Sequence, residues 1–317
     1  SAPRANYVHT FLALASILNA RYLDELPAQV GVAELSRRPA DPLIEHNLLM
    51  TELRQRGYRV IFFPTSYPAT RRSPLADAQI PSPDRVQPEF VSQWLWTTPI
   101  PLVHESACEM FRCRTEFLRY VPESAEFIDW KLAQLEQLAG AAEPIFAFMH
   151  LMSPHEPFIY DADCNHRRPY LPGDESGAEL ERVKRAYVDQ VRCVNQKLLR
   201  LVRTLQERSV SPPVILLQAD HGHGRFGRHL PAYAHATTDQ RAERASVFAA
   251  YALPGAPAAP LPDTVTPINA MRFVLRQYLG MKLPAVDDVT YWSSDDRPYD
   301  FVRLQPGELA GPGADGE

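Results

Sequence analysis

The sequence predicts an α/β domain built on a central, mostly parallel sheet with helices on both faces. Three observations predict it. Amphipathic segments of helical period alternate with short aliphatic runs. Two of those runs stop abruptly at polar residues, as strands do where an open sheet presents its carboxyl ends to ligands. At 317 residues, 45% hydrophobic and 22% charged, the chain has the length and composition for one large core. A net charge of −5 gives no electrostatic footprint for nucleic acid, so none is expected as a partner. The 30 prolines cluster between the periodic segments and imply stiff loops.

The first element is a helix starting at Thr10, with Phe11, Leu14, Ala15 and Leu18 at helical spacing. Thr10 reads either as a plain N-cap or as a hydroxyl nucleophile held in the positive field of a helix N-terminus. Asp41-Pro42 opens a second helix as cap and first residue, buried through Leu43, Ile44, Leu48, Leu49 and Leu53 and stopped by Gly57. Residues 58–63 follow as a buried strand. Residues 64–104 are loop-like, with Trp94 and Trp96 as packing anchors or pocket walls. An amphipathic helix covers 123–139, then a buried strand 144–152.

A polar loop is expected over 161–177, and a long helix over 178–208 on the stripe Leu180, Val183, Tyr187, Val191, Val194, Leu198, Leu201 and Leu205. Residues 225–244 read as a loop carrying His229 and His235 on the surface. A strand over 246–253 and a helix over 267–278 follow, and the chain after Asp300 reads as frayed. No internal repeat or domain break is visible. The expected organisation is a catalytic domain over 1–302 and a disordered tail over 303–317.

The chemistry concentrates where the strands end. The aliphatic run Pro213 to Ala219 stops at Asp220-His221-Gly222-His223. A carboxylate and an imidazole together suit a divalent metal, Mn²⁺ or Zn²⁺ first and Mg²⁺ or Ca²⁺ next. The plainer reading is a polar turn in which Asp220 caps the next segment of chain. The strand 144–152 also ends in polar chemistry, His150 and His155 lying five apart, with Pro154 and Pro157 fixing the backbone of a rigid loop that presents His155. The cysteines Cys108, Cys113, Cys164 and Cys193 lack zinc-finger spacing. In an oxidising compartment Cys108 could bridge Cys113 and Cys164 could bridge Cys193, although four cysteines allow three pairings. No apolar run approaches the roughly 18 residues of a membrane span, and the chain opens at Ser1 as a trimmed product would.

The ordered set of these pieces resembles the alkaline phosphatase superfamily in its sulfatase-like branch. That branch includes lipoteichoic acid synthase, the lipid A phosphoethanolamine transferases and membrane-anchored sulfatase-like proteins. The resemblance is carried by Asn6-Tyr7 through Thr10 with Leu18-Asn19, His155-Glu156-Pro157-Phe158, Tyr187 to Gln190, Pro213 to Gly222, Arg244 to Gly255, Thr266 to Tyr278 and Arg297 to Asp300.

It implies an alkaline phosphatase-like sandwich and a metal-dependent transferase or hydrolase of phosphate-type esters. Thr10 would be the covalent nucleophile, and Asp220 and His221, with Thr10, would hold the metal. His155 would bind the transferred group or protonate the leaving oxygen, with His150 beside it as a substrate residue and His223 in reserve. The implied substrate is an envelope lipid or glycan on the extracytoplasmic face, acted on by a monomer whose full-length form is membrane-anchored. Two departures stand out. The family's acid-tipped strand before the nucleophile has no counterpart in the nine residues before Thr10, so a fragment lacking that strand and the anchor is expected. The Cys/Ser-x-Pro-x-Arg motif that matures to formylglycine in true sulfatases is also missing, which disfavours sulfate esters. The other readings are a generic phosphodiesterase or phosphatase and a non-catalytic envelope-binding relative. A Ser-His-Asp hydrolase is weaker, because Ser16 sits within a helix rather than on a Gly-x-Ser-x-Gly turn.

Overall fold

The structure is a computed structural model and describes residues 3–80, 124–170, 177–223, 229–255 and 261–309. Trp94, Trp96, Cys108 and Cys113 lie outside the described residues. The helices are α1 (Thr10–Leu18), α2 (Leu26–Val30), α3 (Asp41–Glu45), α4 (Leu48–Gln55), α5 (Ala125–Gln137), α6 (Gly177–Arg208), α7 (Thr238–Ala245) and α8 (Pro267–Leu279). The strands are β1 (Arg59–Phe63), β2 (Ala78–Gln79), β3 (Ile145–Met149), β4 (Phe158–Tyr160), β5 (His166–Tyr170), β6 (Ile215–Gln218), β7 (Ala249–Ala252), β8 (Tyr291–Ser294) and β9 (Arg297–Arg303). The chain is α/β, as expected. A three-stranded sheet runs in the order β2-β1-β3, with β1 and β2 parallel, and β4·β5, β6·β7 and β8·β9 pair antiparallel.

The residues cluster into two compact units, Ser1–Val60 with Ala142–Phe146 and Ser209–Glu317, and Ile61–Ala141 with Ala147–Arg208. The division crosses the chain within β1 and β3, so no linker composition marks it in the sequence.

In the first unit α1 is apolar nearly all round, and Phe11 through Leu18 are buried. Such a helix belongs in a core, and it packs against α3, α4 and α8. The single helix expected from Asp41 is two. The chain breaks at His46, and Asn47 caps α4 by accepting from the Met50 amide at 2.8 Å. Asp41 is the first residue of α3, not its cap.

Three other expectations need correction. Within 161–177 the chain forms β5, a polar strand paired with β4, and a disulfide from Cys164 to Cys193 on α6 holds the turn between them. Within 225–244, α7 is a helix whose Thr237 and Gln240 make reciprocal capping bonds. The described residues after Asp300 are regular rather than frayed. Strand β9 continues past Asp300 to Arg303, and Arg4 donates to the Leu309 carbonyl. Buried Trp292 and Tyr299 supply the apolar area that keeps this hairpin in place.

The second unit has its core between α5, α6 and β4, where Ile128, Leu132, Tyr160, Cys193 and Leu201 pack together. Among the described residues no helix is long and apolar enough to cross a membrane.

Candidate active site

The first unit brings together Thr10, Asp220 and His221. Thr10 does not cap α1. His9 is the N-cap and Thr10 the first helical residue, which turns its hydroxyl toward His221. Thr10 Oγ1 lies 3.1 Å from His221 Nε2. The other ring nitrogen, Nδ1, is 2.9 Å from the Gly222 carbonyl, which can only accept. Nδ1 therefore carries the proton. Arg244 Nη2, which can only donate, is 3.2 Å from Nε2. Nε2 thus faces both the threonine hydroxyl and the guanidinium. Asp220 Oδ2 is 3.3 Å from the same nitrogen, while Oδ1 accepts from the His221 amide at 3.0 Å. That bond to the next residue is not a helix cap.

Arg244 is a residue of the site that the sequence reading did not single out. It closes α7, and its guanidinium donates to the carbonyls of Val8 (2.8 and 3.0 Å), Gly222 (3.1 Å) and His223 (2.9 Å). One half-buried cation thereby ties the segment entering Thr10 to the Asp-His-Gly turn. Burial lowers its pKa to about 10, with Asp220 and Asp295 pulling the other way, so it stays charged at neutral pH. The lead-in to Thr10 is short but held: the Ala5 amide donates to Ala245 at 2.7 Å, and Asn6 donates to Tyr22 and Val289 and accepts from the Ile268 amide.

Gly222 is needed for a reason other than ligand access. A Cβ there would stand 2.0 Å from the Glu243 carbonyl and 2.5 Å from that of Ser246, so the glycine admits the end of α7. Its amide donates to the Arg244 carbonyl at 2.7 Å.

His9 adds a pH dependence. It is buried, and its Nε2 donates to the Ser293 carbonyl at 3.1 Å. Burial lowers its pKa to about 3, against the pull of Asp295 and with Arg244, Arg37 and His221 adding to the lowering. Unfolded, it titrates near 6.5. Between those values the unfolded chain binds the extra proton. Stability is therefore full above about pH 6.5 and declines as pH falls, by up to about 1.4 kcal/mol per unit. Urea unfolding at pH 7.5 and pH 5 should show wild type losing more stability than His9→Gln. Equal losses would remove His9 as the source.

His150 and His155 belong to the second unit. His150 Nδ1 is 3.0 Å from Thr70 Oγ1, which lies 2.6 Å from Thr65 Oγ1, and the Tyr67 ring stands edge-on at 5.6 Å. His155 is exposed, and its Nδ1 donates to the Glu156 carbonyl at 2.6 Å. The two side chains have different partners and different exposure. His229 and His235 are on the surface, as expected. The His223 carbonyl serves Arg244.

The donors around Thr10 suit a divalent cation in part. Ligands about 2.1 Å from one ion lie roughly 3.0–3.4 Å apart. The Thr10–His221 and His221–Asp220 separations of 3.1 and 3.3 Å fall in that range. Among the described residues no group of three or more His, Cys, Asp or Glu side chains that could hold a metal converges, so Asp220 and His221 stand as a pair beside the Thr10 hydroxyl.

The first unit thus sets a helix-borne hydroxyl beside an Asp-His pair at the end of a strand, on an α/β frame. The chain belongs to the sulfatase family: the Sulfatase model matches residues 5–252. The family hydrolyses sulfate esters in general and is generally dependent on a divalent metal. Two solved structures are similar to this chain. One is the crystal structure of Ps i-CgsB in complex with k-i-k-neocarrahexaose, at 12% identity and TM-score 0.47, covering 86% of this chain and 62% of that one. The other is the crystal structure of Ps i-CgsB, at 14% identity and TM-score 0.44, covering 90% and 64%. The chain thus spans less than two thirds of the length of either. No curated protein matches it.

Proposed function

We propose that the chain is a hydrolase or transferase of phosphate-type esters that works through a covalent intermediate on Thr10, on an envelope lipid or glycan outside the cytoplasm. The observation that carries this reading is the Thr10 hydroxyl at the start of α1, 3.1 Å from His221 Nε2 and next to Asp220 and Arg244. Threonine cannot be converted to formylglycine, so the reading favours a phosphorus centre over the sulfate esters of the wider family.

Asp220, His221 and Thr10 would hold a divalent metal, Mn²⁺ or Zn²⁺, which supplies a lowered hydroxyl pKa and neutralises developing charge. The rest falls to the chain itself. The Thr10 hydroxyl gives up its proton to solvent, its oxygen bonds to phosphorus, and the bond to the leaving oxygen breaks. That oxygen takes a proton, a role assigned to His155 on the family resemblance together with binding of the transferred group, which His150 shares. First-turn amides of α1 lack intrahelical acceptors and favour the anionic oxygens, and the Arg244 charge adds to that field. Water or an acceptor hydroxyl then attacks phosphorus, the bond to Thr10 breaks, and Thr10 recovers its proton. The Cys164–Cys193 disulfide supports an oxidising compartment. Membrane anchoring through a segment beyond this chain and a monomeric state complete the proposal.

Asp220→Asn separates metal binding from folding. The variant should keep the wild-type unfolding midpoint and bind Mn²⁺ about tenfold or more weakly by calorimetry. Unchanged Mn²⁺ affinity would take Asp220 out of the ligand set. Assayed side by side, a chromogenic phosphodiester and the matching sulfate ester decide the ester class. Turnover confined to the sulfate ester would return the chain to sulfate chemistry.

A further inference from the structure

The His155 loop is fastened by one side chain that the proposed chemistry does not use. Gln190, in the middle of α6, is fully buried. Its Oε1 accepts from the Ile159 amide at 2.7 Å. Its Nε2 donates to the carbonyls of His155 at 3.0 Å and Pro154 at 3.2 Å, with the Pro157 carbonyl at 3.5 Å. The amide has one orientation available, because turning it over would set Oε1 against three carbonyls and leave Nε2 facing an amide N–H. A buried amide satisfied at both ends, within a stretch of six residues, fixes the path of that backbone.

The ring of His155 is tied to the same backbone. Its Nδ1–H bonds the Glu156 carbonyl at 2.6 Å, and that carbonyl lies between the His155 and Pro157 carbonyls that Gln190 faces. The neutral ring's tautomer is thereby set: Nδ1 keeps its proton on the carbonyl, and Nε2 is the nitrogen that takes up a proton and hands it over. One turn further along α6, Cys193 makes the disulfide to Cys164 at the far end of β4, so the loop and the hairpin after it are held by the same helix.

We propose that Gln190 is a positioning residue for His155: it sets the loop carbonyls that fix the imidazole's tautomer and present its Nε2. This rests on the reading that His155 touches the transferred group. Gln190 itself touches no substrate.

The test combines nitrogen-detected NMR of the His155 ring with turnover of bis-4-nitrophenyl phosphate in Mn²⁺. Wild-type protein with the ring neutral should show the Nδ1–H form. Gln190→Met keeps the volume and removes the bonds. In that variant the ring should shift toward the Nε2–H form that free imidazole favours, and kcat/KM should fall about ten- to hundredfold. Gln190→Glu keeps the Ile159 bond, turns an oxygen against the carbonyls, and should shift the ring in the same way. Because Gln190 acts through His155, the double variant His155→Ala/Gln190→Met should be no slower than His155→Ala. A wild-type ring in the Nε2–H form, a variant ring that keeps the Nδ1–H form, or losses that multiply in the double variant would overturn the proposal. Full turnover in His155→Ala would instead overturn the role given to His155, and the ring tautomer alone would then decide whether Gln190 sets it.

Discussion

Thr10→Ala loses turnover of a Mn²⁺-supported phosphodiester by at least about a thousandfold, while the fold is kept. The loss is large because the threonine oxygen makes the bond that splits a hard displacement into two easier ones, and a methyl group offers nothing in its place. The fold survives because Thr10 is a half-buried first-turn residue whose side chain caps nothing. Its hydroxyl bond to His221 is one bond, worth about 1 kcal/mol or less to stability. Thr10→Ser keeps an attacking oxygen and should retain measurable turnover. Parallel kinetics and urea unfolding of both variants check this. Near-normal turnover in Thr10→Ala would end the nucleophile assignment.

Gly222→Ala should damage stability and turnover together. The added methyl would sit 2.0 Å from one backbone carbonyl and 2.5 Å from another, at the end of α7. Backbone atoms cannot step aside as a flexible side chain does, so the cost should exceed about 3 kcal/mol. The parts that must move are those of the site: the Gly222 carbonyl accepts from both His221 Nδ1 and Arg244, and its amide donates to Arg244. Turnover should fall at least about a hundredfold, as expected when reacting groups are displaced by about 1 Å. A variant with an unchanged urea midpoint and unchanged kcat would mean that α7 does not lie against this turn.

Much of this frame is legible in the sequence, for reasons that differ by element. The stripe of α6 and the apolar face of α1 are written in local spacing, and so is the stop of β6 at Asp220. The fold family follows from an ordered series of short motifs. Several of those motif residues are structural anchors: Asn6 binds the start of α8, Asn19 accepts from the Leu48 amide, and Asn269 bonds to Val286 and Asp288. Asn47, which splits the expected helix, does so through a side-chain cap that competes with the helical pattern. The hairpin of β4 and β5 was not legible, because His166-Arg167-Arg168-Pro169 has no strand pattern. It is held by the disulfide and by His166 between Glu126 and Asp129. The α7 helix did carry a signal, Thr237 followed three residues later by Gln240, within a stretch that otherwise reads as loop. Arg244 carried only its place at the head of the motif segment Arg244 to Gly255, with no sign of its role. It is one of 33 lysines and arginines, and only the approach of Val8, Gly222 and His223 in space sets it apart.

The most direct measurement is the mass of the protein itself during turnover. Incubated with Mn²⁺ and a chromogenic phosphodiester, quenched in acid and digested, the peptide carrying Thr10 should gain the mass of one substituted phosphoryl group. Fragmentation should place that mass on Thr10, and Thr10→Ala should show none. Steady turnover with no adduct at any time, or an adduct on another residue, would contradict the covalent threonine mechanism.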